Sequence, residues 1–151
     1  MQNKELKVLA ETLGFQKFLP ASELKIKKGG ALELNRKAVR TARILLDPVS
    51  PQDKAFDTAV AQIAKDNDVA IAFSVKSVID AKGLDKVRIL RNICFAVEIC
   101  KKMKNNVMIV SNASDKFDSK DAVVLMAFGQ LIGLSKTQAQ WSISHSYDGF
   151  V

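Results

Sequence analysis

Histidine is nearly absent from this sequence: His145 is the sole one among 151 residues, and there is one tryptophan and one tyrosine. A metal-dependent hydrolase gathers several His, Asp or Glu side chains into one pocket, so a lone histidine on the last expected helix reads as a surface or helix-end residue. Cysteine is equally scarce. Cys94 and Cys100 are the two present, and on one helix they lie about 10 Å apart along its axis, too far for a mutual disulfide. They read as small buried apolar residues in a reducing compartment. No apolar run approaches the roughly 18 residues that cross a bilayer. The start MQNKELKVLAETLGF is amphipathic where a signal peptide would be apolar, so a cytoplasmic location is expected. The glycines form neither a Walker phosphate loop nor a dinucleotide fingerprint, and no cofactor is expected. Gly29 and Gly30 read as a relaxed strand-to-helix turn.

What is present is an ordinary globular composition, 48% hydrophobic and 26% charged, which predicts a single domain over residues 1–151 with a real core. The net charge is +7 and the isoelectric point about 9.5. A small basic domain is drawn to polyanions, of which nucleic acid is the usual one. The excess is concentrated early: residues 1–50 hold ten Lys/Arg against five Asp/Glu, whereas residues 51–100 hold seven of each.

Periodicity predicts a helix over Lys4–Leu13 ended by Gly14, a short strand FQKFL halted by Pro20, a strand within Glu23–Lys28, and a short helix Leu32–Val39. ARILL is a continuous apolar strand running into the loop DPVSP. Asp53–Asp66 reads as an amphipathic helix with Asp53 at its positive end. VAIAFSV and NVMIVSN are further apolar strands. The helix Lys120–Ile132 is expected to be capped by Ser119, and a last helix by Ser135. About five strands alternating with helices predict parallel pairing through right-handed crossovers, hence an α/β fold. At this length it would be a shortened or incomplete TIM-like barrel, with an open doubly wound sheet as the alternative.

Active sites in such folds gather where strands end. Here those positions are Asp47, Pro48, Ser74, Ser111 and Asn112, polar but chemically mild. Ser111 has no evident base partner, so a nucleophile is not expected. The informative stretch is RILRNICFAVEICKKMK, residues 88–104. Wound as a helix, it puts Leu90, Ile93, Cys94, Val97, Cys100 and Met103 on a core face, and Arg88, Arg91, Asn92, Phe95, Glu98 and Lys102 on the other.

Taken together, VAIAFSVKSVI, VRILRNICFAVEICKKMKNNVMIVSNAS, DAVVLMAFGQLIGLSKTQA and, upstream, LKIKKGGALELNRKAVRTARILLDP resemble protein component 3 of ribonuclease P, from about Leu6 to Ser144. In its archaeal and eukaryotic form that family is a barrel related to metal phosphoesterases. The resemblance implies a noncatalytic subunit of the ribonucleoprotein that removes 5′ leaders from precursor tRNA. It implies, as partners, the ribonuclease P RNA and a second small subunit of ferredoxin-like fold, in a heterotetramer. The chain departs from the family in lacking its usual first strand, and at Cys94 and Phe95, where members tend to be basic.

Weighed on that footing, Arg88, Arg91, Asn92 and Lys102 are the expected RNA contacts of the helix at 88–104, spaced along it like phosphates along a backbone. The competing reading is a solvated face with Glu98 paired to Lys102. Arg36 and Arg40 form a second basic pair. Lys76, Lys82 and Lys86 border one loop and Lys116 and Lys120 another; both loops should share a rim of the sheet. Phe95 and Phe117 are expected to meet a protein partner. A stand-alone metal phosphoesterase and a scaffold with little RNA contact are the alternative functions.

Overall fold

The computed structural model describes residues 2–13, 24–113 and 119–144. In chain order the elements are α1 (Gln2–Thr12), β1 (Ile26–Lys28), α2 (Leu32–Ala38), β2 (Ile44–Leu46), α3 (Thr58–Asp66), β3 (Ala70–Ser74), α4 (Val75–Asp80), α5 (Gly83–Met103), β4 (Val107–Val110), α6 (Ala122–Leu131) and α7 (Lys136–Ser144). The strands form one sheet in the order β1-β2-β3-β4. Every pair is parallel, with Leu46 opposite Lys28 and Ala72, and Ala72 opposite Met108.

A doubly wound sheet reverses its strand order at a switch point, whereas a barrel adds each strand beside the last. The unbroken order here is the barrel progression, so the fold is α/β, an incomplete TIM-like barrel of parallel strands. The alternation of side chains agrees. Leu45, Ile71, Phe73, Val107 and Ile109 face the helices in one core with Val60, Val97 and Leu125. Ile44, Ala70, Ala72 and Met108 form a second cluster on the opposite face.

Several boundaries differ from the sequence expectation. The helix expected over Asp53–Asp66 begins at Thr58, and Asp57 caps it by accepting from the Val60 N–H. Residues 53–57 are instead held as a loop: the Asn35 amide donates to the Ala55 carbonyl at 2.7 Å and the Asn92 amide to that of Asp53 at 3.0 Å. Their carbonyls are therefore satisfied without helix formation. The strand expected to run through Val75 stops at Ser74, whose hydroxyl accepts from Ser77 N–H and starts the unforeseen α4. Asp121, not Ser119, caps α6. Ser135 does cap α7, accepting from Gln138 N–H while Gln138 Oε1 accepts from Ser135 N–H, a reciprocal capping box. The expected strand at 15–19 and Gly14 lie outside the described residues, within which there are four strands.

Two close approaches fix the packing. A Cβ on Gly29 would lie 2.5 Å from Asn35 Oδ1 and 2.6 Å from Pro48 Cα, so only glycine fits where the β1–α2 turn meets the β2 loop. A Cβ on Gly129 would lie 2.9 Å from that of Ala139, which sets how tightly α7 lies on α6.

Candidate nucleic-acid interface

The strands end at one rim, and the residues there are built around Asp47. Its backbone is left-handed (φ 48°), a conformation Asp tolerates better than most. Its carboxylate accepts from Ser74 N–H at 2.7 Å and from the Ser74 hydroxyl at 2.6 Å. Burial pushes the Asp47 carboxyl above its ordinary range, against the lowering effect of the Ser74 bonds and of Lys28 nearby. Ser74 itself is fully buried. This pair clamps β2 to β3, and its hydroxyl has no exposure through which to attack a substrate. Ser111 Oγ, at the end of β4, accepts from Lys120 N–H. Among the described residues no three His, Cys, Asp or Glu side chains converge as a metal site would require.

Cations surround this rim. Lys76 follows Ser74 on α4 and pairs with Asp80 at 3.1 Å. Lys82 precedes α5, Lys86 lies in its first turn, and both are exposed, as is Arg91. Lys82, Lys86 and Arg91 make no ion pair among the described residues, while Arg88 sits 3.5 Å from Asp85. Lys120 stands half-buried where α6 begins.

The helical face drawn from the sequence is only partly an exposed face. On a wheel at about 100° per residue the real solvent arc is centred on Val87, Glu98 and Arg91, roughly 60° away from its expected centre. Asn92, expected to touch RNA, is instead buried: its amide donates to the Ser50 carbonyl at 2.7 Å and to Asp53 at 3.0 Å, tying α5 to the β2–α3 loop. Phe95, expected to meet a partner, is half-buried against the core, with the Lys54 amine 4.5 Å from its ring centroid. The loop that descends over Asn92 and Phe95 covers them because it did not become the helix expected at 53–57. Lys102 pairs with Glu98 at 2.9 Å, which holds the Glu98 carboxyl below its ordinary range. Lys116 and Phe117 lie outside the described residues.

The remaining cations sit elsewhere. Arg36 bridges Glu33 and Asp57, each at 3.2 Å, and Arg40 is exposed just past the end of α2. Arg40 and Lys102 belong to the end of the molecule where strands begin, about 20 Å from Arg88 by the rise of α5, whereas Arg36, held to Asp57 at the N-cap of α3, lies at the rim where strands end. The sequence reading missed Asn35, whose amide and carbonyl bond Gly30, Pro48 and Ala55. Its signal was an Asn in register with apolar Leu32 and Ala38 on the inward side of a helix. It also missed the exposed apolar side chains Ile79, Leu84 and Val87 amid these cations.

No protein-family model matches the chain. It is 26% identical over 130 residues to ribonuclease P protein component 3 of Methanosarcina barkeri, covering 85% of this chain and 54% of that protein. The corresponding proteins of Thermococcus kodakarensis and Methanocaldococcus jannaschii are each 28% identical, covering 78% and 75% of this chain. A chain in a cryo-EM structure of archaeal ribonuclease P with mature tRNA superposes with a TM-score of 0.68 at 27% identity, covering 78% of this chain and 52% of that one. The chain thus spans about half the length of the curated relatives it matches. In sequence it is similar to ribonuclease P protein component 3, and in fold to a chain of archaeal ribonuclease P.

Proposed function

We propose that this chain is a protein subunit of a ribonuclease P ribonucleoprotein, supporting the catalytic RNA in 5′-leader removal from precursor tRNA and contributing no catalytic group of its own. The observation that carries the proposal is the joint match, in sequence to component 3 proteins and in fold to a chain of an assembled archaeal ribonuclease P. The RNA is its primary partner and precursor tRNA an indirect one. A second small subunit of ferredoxin-like fold joins it, in a heterotetramer, and the assembly works in the cytoplasm. In support of a soluble assembly, no helix among the described residues is long and apolar enough to cross a membrane.

The RNA meets the rim at the start of α5. Lys82, Lys86 and Arg91 are the leading contacts because their charges are uncompensated within the described structure; Arg88, Lys76 and Lys120 flank them. Phosphate contacts of this kind position the RNA and release counterions, so affinity should fall steeply with salt. Lys116 belongs to the same loop as Lys120 and is proposed with it. Arg40 and Lys102, at the opposite end, add only long-range attraction, and Arg36, at the rim, is neutralised by Glu33 and Asp57.

The test is a salt titration of binding to an archaeal ribonuclease P RNA. Lys86→Glu with Arg91→Glu should flatten the slope of log affinity against log salt by about two units, one for each lost phosphate contact. Lys102→Glu should leave it nearly unchanged. Equal slopes for all three proteins, with native circular dichroism, would remove the α5 rim from the interface. A stand-alone phosphoesterase instead predicts metal-stimulated hydrolysis of a generic phosphate ester by the purified chain.

A further inference from the structure

Every residue from Lys82 to Arg88 is exposed, so the start of α5 projects past the rim and is packed tightly on no side. The helix is long for its place: its 21 residues rise about 31 Å, against roughly 16 Å for the five residues of β3. Its core contacts begin lower down, partial at Ile89 and Leu90 and complete at Asn92 and Ile93. The stretch from Lys82 to Arg91 carries four cations, Lys82, Lys86, Arg88 and Arg91, against one acid, Asp85. It also carries Leu84 at 72% exposure and Val87 at 64%, where an exposed helical turn ordinarily holds polar side chains. At about 100° per residue, Arg88 and Arg91 fall within about 40° of Leu84, and Val87 about 60° from it, whereas Lys86 falls on the opposite side. Charge therefore surrounds this part of the helix.

We infer that the start of α5 enters an opened stretch of RNA, an internal loop or a junction, and packs Leu84 and Val87 against unstacked bases there. The inference rests on the reading of this rim as the RNA interface. Geometry selects the occupant. A continuous A-form duplex touches a helix about 10 Å wide on one side only, because its major groove is too narrow to admit the helix and its minor groove is shallow. Lys86, or Arg88 with Arg91, would then face water. An acidic protein helix laid along α5 leaves the same charges unmet. Strands parted at a loop carry a phosphate at every nucleotide on both sides of the gap, so they meet Lys86 on one side and Arg88 and Arg91 on the other. The aliphatic pair agrees. A duplex presents Leu84 and Val87 with phosphates, riboses and polar base edges, whereas an unstacked base offers them an apolar face on which a guanidinium also stacks. Leu84 lies between Arg88 and Arg91 in angle, where both can hold such a base.

Binding of the whole chain to two synthetic RNAs tests it: a continuous duplex, and the same duplex opened by an internal loop of unpaired adenosines. The expected result is a preference of about tenfold for the opened RNA, the effect of burying about one aliphatic side chain. Leu84→Ser with Val87→Ser, at positions too exposed to bear on the fold, should abolish that preference. Circular dichroism, affinity for the duplex and the salt slope should stay unchanged in that variant, since no charge is lost. Lys86→Glu and Arg91→Glu, on opposite sides of the helix, should each flatten the salt slope for the opened RNA by about one unit. Equal affinity of the wild-type chain for the two RNAs overturns the inference and leaves the RNA reading of the rim standing. A salt slope that only one of the two charge reversals changes does the same, being the mark of a one-sided contact. A preference that survives the serine substitutions also overturns it and leaves Leu84 and Val87 to a protein partner. Failure to bind either RNA overturns both the inference and the reading it rests on.

Discussion

At Asp47 burial and hydrogen bonding pull in opposite directions. Burial raises its pKa, and the two Ser74 bonds only partly offset this. A carboxyl whose folded pKa is raised contributes stability that is complete below its unfolded value and is lost as pH rises through the folded one. The ionised form is therefore the less stabilised of the two in the folded protein. Asp47→Asn should accept from Ser74 N–H through its carbonyl and donate from its amide to the Ser74 hydroxyl. Urea unfolding should show equal or greater stability at pH 7, and the part of the wild-type pH profile due to Asp47, stability lost as pH rises through its raised pKa, should vanish in the variant. A loss of more than about 1 kcal/mol at pH 7 would mean that the ionised carboxylate is itself stabilising. Cys100 is a simpler case: burial pushes its thiol up to about 12, so it acts as a core side chain and not as a nucleophile.

Among the elements, α5 carries most of the argument. Its interior face was legible in the sequence, since Ile93, Val97 and Cys100 are buried as their spacing implied. Its flank was not, because what covers Asn92 and Phe95 is the β2–α3 loop, and that loop exists only through long-range bonds from Asn35 and Asn92. Local periodicity cannot see a carbonyl satisfied by an amide 39 positions away. The reassignment of Asn92 is testable. Asn92→Ala should cost about 1–3 kcal/mol in chemical denaturation, the penalty of leaving buried carbonyls unpaired. An RNA ligand on the surface would show unchanged stability and weaker RNA binding. The strands were read most reliably, because runs such as VAIAFS and VMIV are apolar on both faces of a covered parallel sheet. Strand order was not readable, and it is the order that separates a barrel from a doubly wound sheet.

For the whole molecule, charge and shape divide the surface. The rim at the start of α5 carries Lys82, Lys86 and Arg91 without ion pairs among the described residues, beside cations that have them, and α6 carries no charge. Of the cations anticipated at the interface, Lys76, Lys82, Lys86, Arg88, Arg91 and Lys120 come to one side, a grouping that needed the strand topology to place two loops at one rim. Arg40 and Lys102, at the other end, could not be separated from them by composition alone, nor could Arg36, which reaches the rim but is held by Glu33 and Asp57. The three unpaired rim cations give the ribonuclease P proposal its salt signature.

The central claim is that this chain works within ribonuclease P, and native purification tests it most directly. The chain, tagged in its own host and recovered at moderate salt, should bring down a large structured RNA together with small basic proteins, and the eluate should remove 5′ leaders from precursor tRNA. Recovery of the chain without such an RNA, or with RNA whose eluate leaves precursor tRNA intact, would contradict the account.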